Sequence, residues 1–158
     1  MQLINPAIRN ILLIDDDEDD FSVFQEALKD ISPNFKLSYA NTCQNVLAEL
    51  EHCKPDLLFL DINLPRVTGL ACLKEIKESV RFCKIPIVMY SNSQFPKDIT
   101  ESYTLGATLY FHKTSSYTEL VSSLRDILQM TWYEPEHITA KYYADGTYSS
   151  YVNPGKLL

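Results

Sequence analysis

The sequence predicts an α/β protein, a doubly wound sheet of five parallel strands with helices on both faces. Short, continuously apolar runs alternate five times with stretches of helical periodicity, and apolar continuity marks strands buried on both sides. The ends of these runs are the second observation. The run 11–14 breaks into Asp15, Asp16 and Asp17, the run 57–60 ends at Asp61, and the run 109–112 ends at Lys113. Because the carboxyl ends of strands in an open parallel sheet line one ligand-binding edge, this order gathers those charges in one place.

The strands are expected at residues 10–15, 36–40, 56–61, 86–91 and 108–112. In the first helix Phe21, Phe24, Leu28 and Ile31 recur on one face of a 3.6-residue period, and in the second Val46, Leu47 and Leu50 do so. The third helix follows Gly69 with Leu70, Leu73 and Ile76. The fourth starts near Pro96, a residue suited to a first helical turn. Ser116 and Glu119 form a capping box for the fifth, whose buried stripe is Leu120, Val121, Leu124, Ile127 and Leu128.

A chain of 158 residues, 46% hydrophobic and 22% charged, is long enough for one folded domain with a full core and too short for a second of similar size. The domain is expected over 1–130. Residues 131–158 form an aromatic-rich tail with no separate output domain, holding Trp132, five of the ten tyrosines and an Asp145-Gly146 turn signal. This tail can form a hairpin, pack on the domain or join two copies as a homodimer. A net charge of −7 opposes binding to DNA or to an anionic membrane, and no apolar run is long enough to span a bilayer. Cys43, Cys53, Cys72 and Cys83 have neither CxxC nor zinc-ligand spacing, and the N-terminus has no signal-peptide pattern. A cytoplasmic protein with buried, reduced thiols is therefore expected.

A strand-end carboxylate such as Asp61 can attack phosphorus and hold the group as an acyl phosphate. Alone it reads better as a turn cap before Pro65. The acids Asp15 and Asp16 change that balance, since Mg2+ takes one or two carboxylates, several waters and a phosphate oxygen. Asp17 to Asp20 suit a helix N-terminus, where negative charge is favoured. Lys113 can neutralise charge developing on a phosphoryl group, and Ser91 can donate its hydroxyl to it. A calcium loop is the rival reading, with Asp15, Asp17, Asp19 and Glu26 at the first, third, fifth and twelfth positions. Asp20 in place of the turn glycine, Val23 at the ninth position and the strand-like run before Asp15 weigh against it.

The segments ILLIDDD, LLFLDINLPRVTGL, IPIVMYSNS and YFHK resemble the receiver domain of two-component response regulators over roughly residues 8–130. The resemblance implies a flavodoxin-like (βα)5 fold with strand order 2-1-3-4-5. It implies Asp61 as phosphoacceptor, Asp15 and Asp16 as the acids positioning Mg2+, and the Asn63 carbonyl as a further metal ligand. Ser91 and Tyr110 then match the hydroxyl and aromatic switch, and Lys113 the phosphate-binding lysine. The implied partner is a sensor histidine kinase or phosphotransfer protein, and the implied output runs through protein contacts. Thr114 stands where the family usually has proline. Two other functions compete. A haloacid-dehalogenase-type phosphatase needs an acid where Asn63 stands. A phosphorylation-independent pseudo-receiver has usually lost one of the acids or the lysine, all of which are present here.

Overall fold

A computed structural model describes residues 8–157, without the side chain of Leu157; residues 1–7 of the expected domain and residue 158 of the tail lie outside the described residues. Five βα units run in order: β1 (Asn10–Ile14), α1 (Glu18–Ile31), β2 (Lys36–Ala40), α2 (Val46–Cys53), β3 (Leu57–Leu60), α3 (Gly69–Glu78), β4 (Ile87–Ser91), α4 (Pro96–Thr104), β5 (Leu109–His112) and α5 (Tyr117–Leu128). All pairings are parallel and the order is β2-β1-β3-β4-β5, as the resemblance implied. The expected strands differ from these only by a residue at their ends.

Period-two alternation divides β1, β3, β4 and β5 between two cores. Ile11, Leu13, Leu57, Phe59, Val88, Tyr90, Leu109 and Phe111 face α1 and α5, whereas Leu12, Ile14, Leu58, Leu60, Ile87, Met89 and Tyr110 face the helices α2, α3 and α4. Every residue of β3 and β4 is buried, which is why both runs are predominantly apolar, with Ser91 the polar residue at the end of β4. Edge strand β2 is partly exposed and accordingly reads Lys-Leu-Ser-Tyr-Ala.

Helix ends correct two expectations. At the start of α1 only Asp17 caps, accepting from the Asp19 and Asp20 amides, while the Asp20 side chain turns to the sheet edge. The Ser116 capping box is half formed. Ser116 Oγ accepts from the Glu119 amide, but the Glu119 carboxylate takes the Thr114 hydroxyl and Lys156 instead of reaching back. Thr114 thus shapes the β5–α5 loop through its side chain, its Oγ1 also accepting from the Ser116 amide.

The cysteines differ from expectation as well. Cys43, in the loop before α2, and Cys72, on α3, are buried together and joined as a disulfide with Cα atoms 6.0 Å apart, and Cys53 and Cys83 are half-buried free thiols. The pair lies 29 positions apart in sequence, so short-range cysteine spacing could not reveal it.

The core facing α1 and α5 does not stop at Met130. Trp132, Ile138 and Tyr151 are buried in it, and the Trp132 indole N–H donates to the Ile127 carbonyl at 2.8 Å. Helix α6 (Pro135–Ala140) follows, then an antiparallel hairpin of β6 (Tyr143–Ala144) and β7 (Thr147–Tyr148), then a 3-10 turn at Pro154–Leu157. Asp145 and Gly146 both have positive φ, the two-residue turn their sequence signals. No helix among the described residues is long and apolar enough to cross a membrane.

Candidate functional site

The carboxyl ends of β1, β3, β4 and β5 bring the sequence-selected residues to one edge of the sheet. β1 runs into Asp15 and Asp16, β3 runs into Asp61, Ser91 closes β4 and Lys113 follows β5. The edge is fixed by main-chain bonds across the strands: Asp61 N to Ile14 O at 3.0 Å, Lys113 N to Ser91 O at 2.9 Å, and Asp15 N to Ala40 O at 3.1 Å. Gly69 completes it from below. Its amide donates to the Ile62 carbonyl, and a Cβ at this position would overlap the Asp61 carbonyl oxygen, so α3 can begin this close to Asp61 only without a side chain.

Oxygens of Asp15, Asp16 and Asp61 lie within 4.8 Å of one another, Asp15 and Asp61 buried and Asp16 exposed. The buried Lys113 ammonium stands 2.7 Å from Asp15 Oδ2, 2.7 Å from Asp20 Oδ2 and 3.0 Å from Asp61 Oδ2. It also lies over the Tyr90 ring, 5.2 Å from the centroid. Burial opposes its charge, but the neighbouring carboxylates of Asp15, Asp20 and Asp61 outweigh burial and push its pKa above the usual lysine range. Burial raises the Asp15 pKa, against the pull of Lys113 and the Asp17 amide. Among the described residues, Asp15 Oδ2 is the buried side-chain atom with no hydrogen bond; Lys113 pairs with it by charge but outside hydrogen-bonding geometry.

That orphaned oxygen, in a carboxylate cluster open to solvent on the Asp16 side, is chemistry that suits a hard divalent cation. A calcium loop does not fit, because β1 precedes Asp15 and α1 begins at Glu18, inside the twelve positions such a loop would need. Asn63 reaches the site through its amide, which donates to Asp61 Oδ1 at 3.2 Å. Ser91 is fully buried, its Oγ accepting from the Ser93 amide at 3.2 Å. Tyr110 is also fully buried, and its hydroxyl donates to the Ser93 carbonyl at 2.8 Å.

Asp20 is the residue that sequence reasoning missed. It was grouped with the capping acids, and nothing in the run of six acids marks it as the one in the first turn of α1 whose side chain turns to the sheet edge.

A parallel (βα)5 sheet with acids, a hydroxyl and a lysine on this edge defines a receiver-type signalling domain. The response regulator receiver domain model matches residues 11–125, and the chain belongs to that family. The chain is 30% identical to the sensory transduction protein BceR of Halalkalibacterium halodurans over 75% of its own length, and spans about half, 49%, of that relative. It is 29% identical to the response regulator Rcp1 of Synechocystis, covering 78% of this chain and 88% of the relative. Among solved structures, the phosphorylated cyanobacterial phytochrome response regulator RcpA superposes with a TM-score of 0.70 at 29% identity, covering 76% of this chain and 91% of that one. The Mn2+-bound form of Rcp1 does so with a TM-score of 0.67 at 28% identity, covering 75% and 91%. The chain is thus a receiver domain of the two-component response regulator class.

Proposed function

We propose that the chain is a phosphoacceptor that takes a phosphoryl group on Asp61 from a histidine kinase or phosphotransfer protein and signals through protein contacts. The observation that carries this reading is the 3.0 Å approach of the Lys113 ammonium to the Asp61 carboxylate at the mouth of the acid cluster. In the transfer an Asp61 oxygen attacks phosphorus, an O–P bond forms, and the N–P bond of the donor phosphohistidine breaks with its electron pair returning to the imidazole. Lys113 is placed to neutralise charge on the moving phosphoryl oxygens. Asp15, Asp16 and Asp61, with the Asn63 carbonyl, would hold Mg2+; the ion supplies charge neutralisation and alignment of phosphoryl oxygens. The Asn63 amide and Lys113 each bond one oxygen of Asp61, which fixes the carboxylate plane for attack.

Ser91 is the hydroxyl that meets the arriving phosphoryl group, and Tyr110 the ring that follows it. In the structure that ring lies inside, bonded to the Ser91–Ser93 loop. The test is intact mass after incubation with acetyl phosphate and Mg2+. The expected result is one added phosphoryl group, absent with EDTA and in Asp61→Ala. A wild-type chain that binds Mg2+ and gains no mass from acetyl phosphate or from any histidine phosphotransfer donor is a pseudo-receiver.

A further inference from the structure

The tail and the buried Tyr110 ring share one set of hydrogen bonds. β5 is an edge strand, so its outer amides and carbonyls have no neighbouring strand. The Tyr110 carbonyl accepts from the Tyr151 amide at 2.7 Å. Its amide donates to the Tyr103 hydroxyl at 3.0 Å, and that hydroxyl donates to the Ser149 carbonyl at 2.9 Å. The Tyr103 side chain therefore stands in for one rung of a sixth strand, while its ring stacks on Tyr148 with centroids 4.7 Å apart. Further along, the Tyr151 hydroxyl donates to Asp126, the Asn153 amide bonds Ser122 and Ser123, and Lys156 pairs with Glu119. The segment 142–156 thus spans α4, β5 and α5.

On its inner side the same Tyr110 donates to the Ser93 carbonyl, and the Ser93 amide donates to Ser91 Oγ. Tyr110 thus holds the Ser91–Ser93 loop through its hydroxyl and the tail through its main chain. A cleft of about 720 Å3, lined by Tyr110, Ile99 and Ser150 among others, lies where the tail meets β5. The docked tail and the inward ring are found together.

We propose that docking of residues 142–156 and the inward position of Tyr110 stabilise each other, so that phosphorylation tightens the tail on the α4–β5–α5 face and the tail favours the phosphorylated receiver. This rests on the phosphoacceptor reading. Such coupling is reciprocal: each event favours the other by the same factor. A protein that reads this face meets the outer side of the tail, where Tyr143 and Val152 are exposed, in place of the β5 edge.

The test is amide hydrogen exchange of the full chain with Mg2+, with and without beryllium fluoride as the acyl-phosphate mimic. Exchange at Ser149 and Tyr151 is expected to slow at least threefold with the mimic. In Tyr103→Phe, which keeps the ring but loses both bonds of its hydroxyl, slowing is expected to fall below half of that, and the phosphoryl half-life to shorten. A β3 exchange rate equal to wild type shows that this variant is folded. Unchanged or faster tail exchange in a wild-type chain that does gain a phosphoryl group overturns the coupling alone. Absence of phosphoryl gain overturns the phosphoacceptor reading and the coupling together.

Discussion

Lys113 and Asp20 meet side chain to side chain at 2.7 Å across 93 positions of sequence, which gives the lysine a third carboxylate from α1 in addition to Asp15 and Asp61. A cation bound by Asp15, Asp16 and Asp61 draws on two of those three partners. Asp20 is the one left to aim the ammonium at the phosphoryl position.

Asp20→Asn is therefore expected to slow phosphorylation by acetyl phosphate about fivefold, equivalent to ~1 kcal/mol in the barrier. Asp20→Glu should recover most of the rate. Because Asp20 is partly exposed, its loss should change stability by less than about 1 kcal/mol. Rates from intact mass at several acetyl phosphate concentrations check both.

Asp15 makes the opposite kind of prediction, a gain in stability on losing charge. Its folded-state pKa lies above the ordinary 3.8 because burial disfavours the carboxylate. Ionised Asp15 therefore opposes folding at any pH above its folded pKa. In Mg2+-free buffer Asp15→Asn should raise stability at pH 7, because the buried carboxylate is costlier than its neutral counterpart even with Lys113 beside it. The advantage should shrink as pH falls through the folded pKa of Asp15 and be gone below 3.8, where the wild-type group is protonated in both states. Urea melts of both proteins between pH 3.5 and 7 measure it, and added Mg2+ should stabilise the wild type more than the variant.

The fold was legible in the sequence because its signals are local. Continuous apolar runs located β3 and β4, and stripes such as Leu120, Leu124 and Ile127 located the helices that cover them. The acids, Ser91 and Lys113 were legible through a rule of the topology, since strand ends in a parallel sheet share an edge. What escaped depended on where side chains turn in three dimensions. Asp20 was hidden among five neighbouring acids, and the Cys43–Cys72 pair among residues without short-range spacing. The tail was opaque for the same reason: its Asp145-Gly146 hairpin could be read, but the anchoring of Tyr151 on Tyr110 and Asp126 could not.

Gly69 is required by space alone. In Gly69→Ala the new methyl meets the Asp61 main chain, a fixed obstacle, and overpacking of this kind costs about 1–3 kcal/mol. Thermal unfolding should show that loss. Because the obstruction falls on Asp61 itself, phosphorylation should drop further than in a variant equally destabilised at a distant core position such as Leu50→Ala.

Trp132 tests whether the segment beyond α5 is part of the folded unit. Trp132→Ala removes a buried ring and its bond to Ile127, with an expected cost of about 3–5 kcal/mol in urea unfolding. A frayed tail would give a change within about 0.5 kcal/mol, the range of surface substitutions.

Where the phosphoryl group sits is the most direct measurement of all. Acyl phosphates are reduced by borohydride, and an aspartyl phosphate becomes homoserine, a mass change that peptide sequencing locates to one residue. After treatment with acetyl phosphate and Mg2+, homoserine is expected at Asp61 alone, with none in samples treated with EDTA. Homoserine at Asp15, Asp16 or Asp20 with Asp61 unmodified would contradict the assignment of Asp61 as the acceptor.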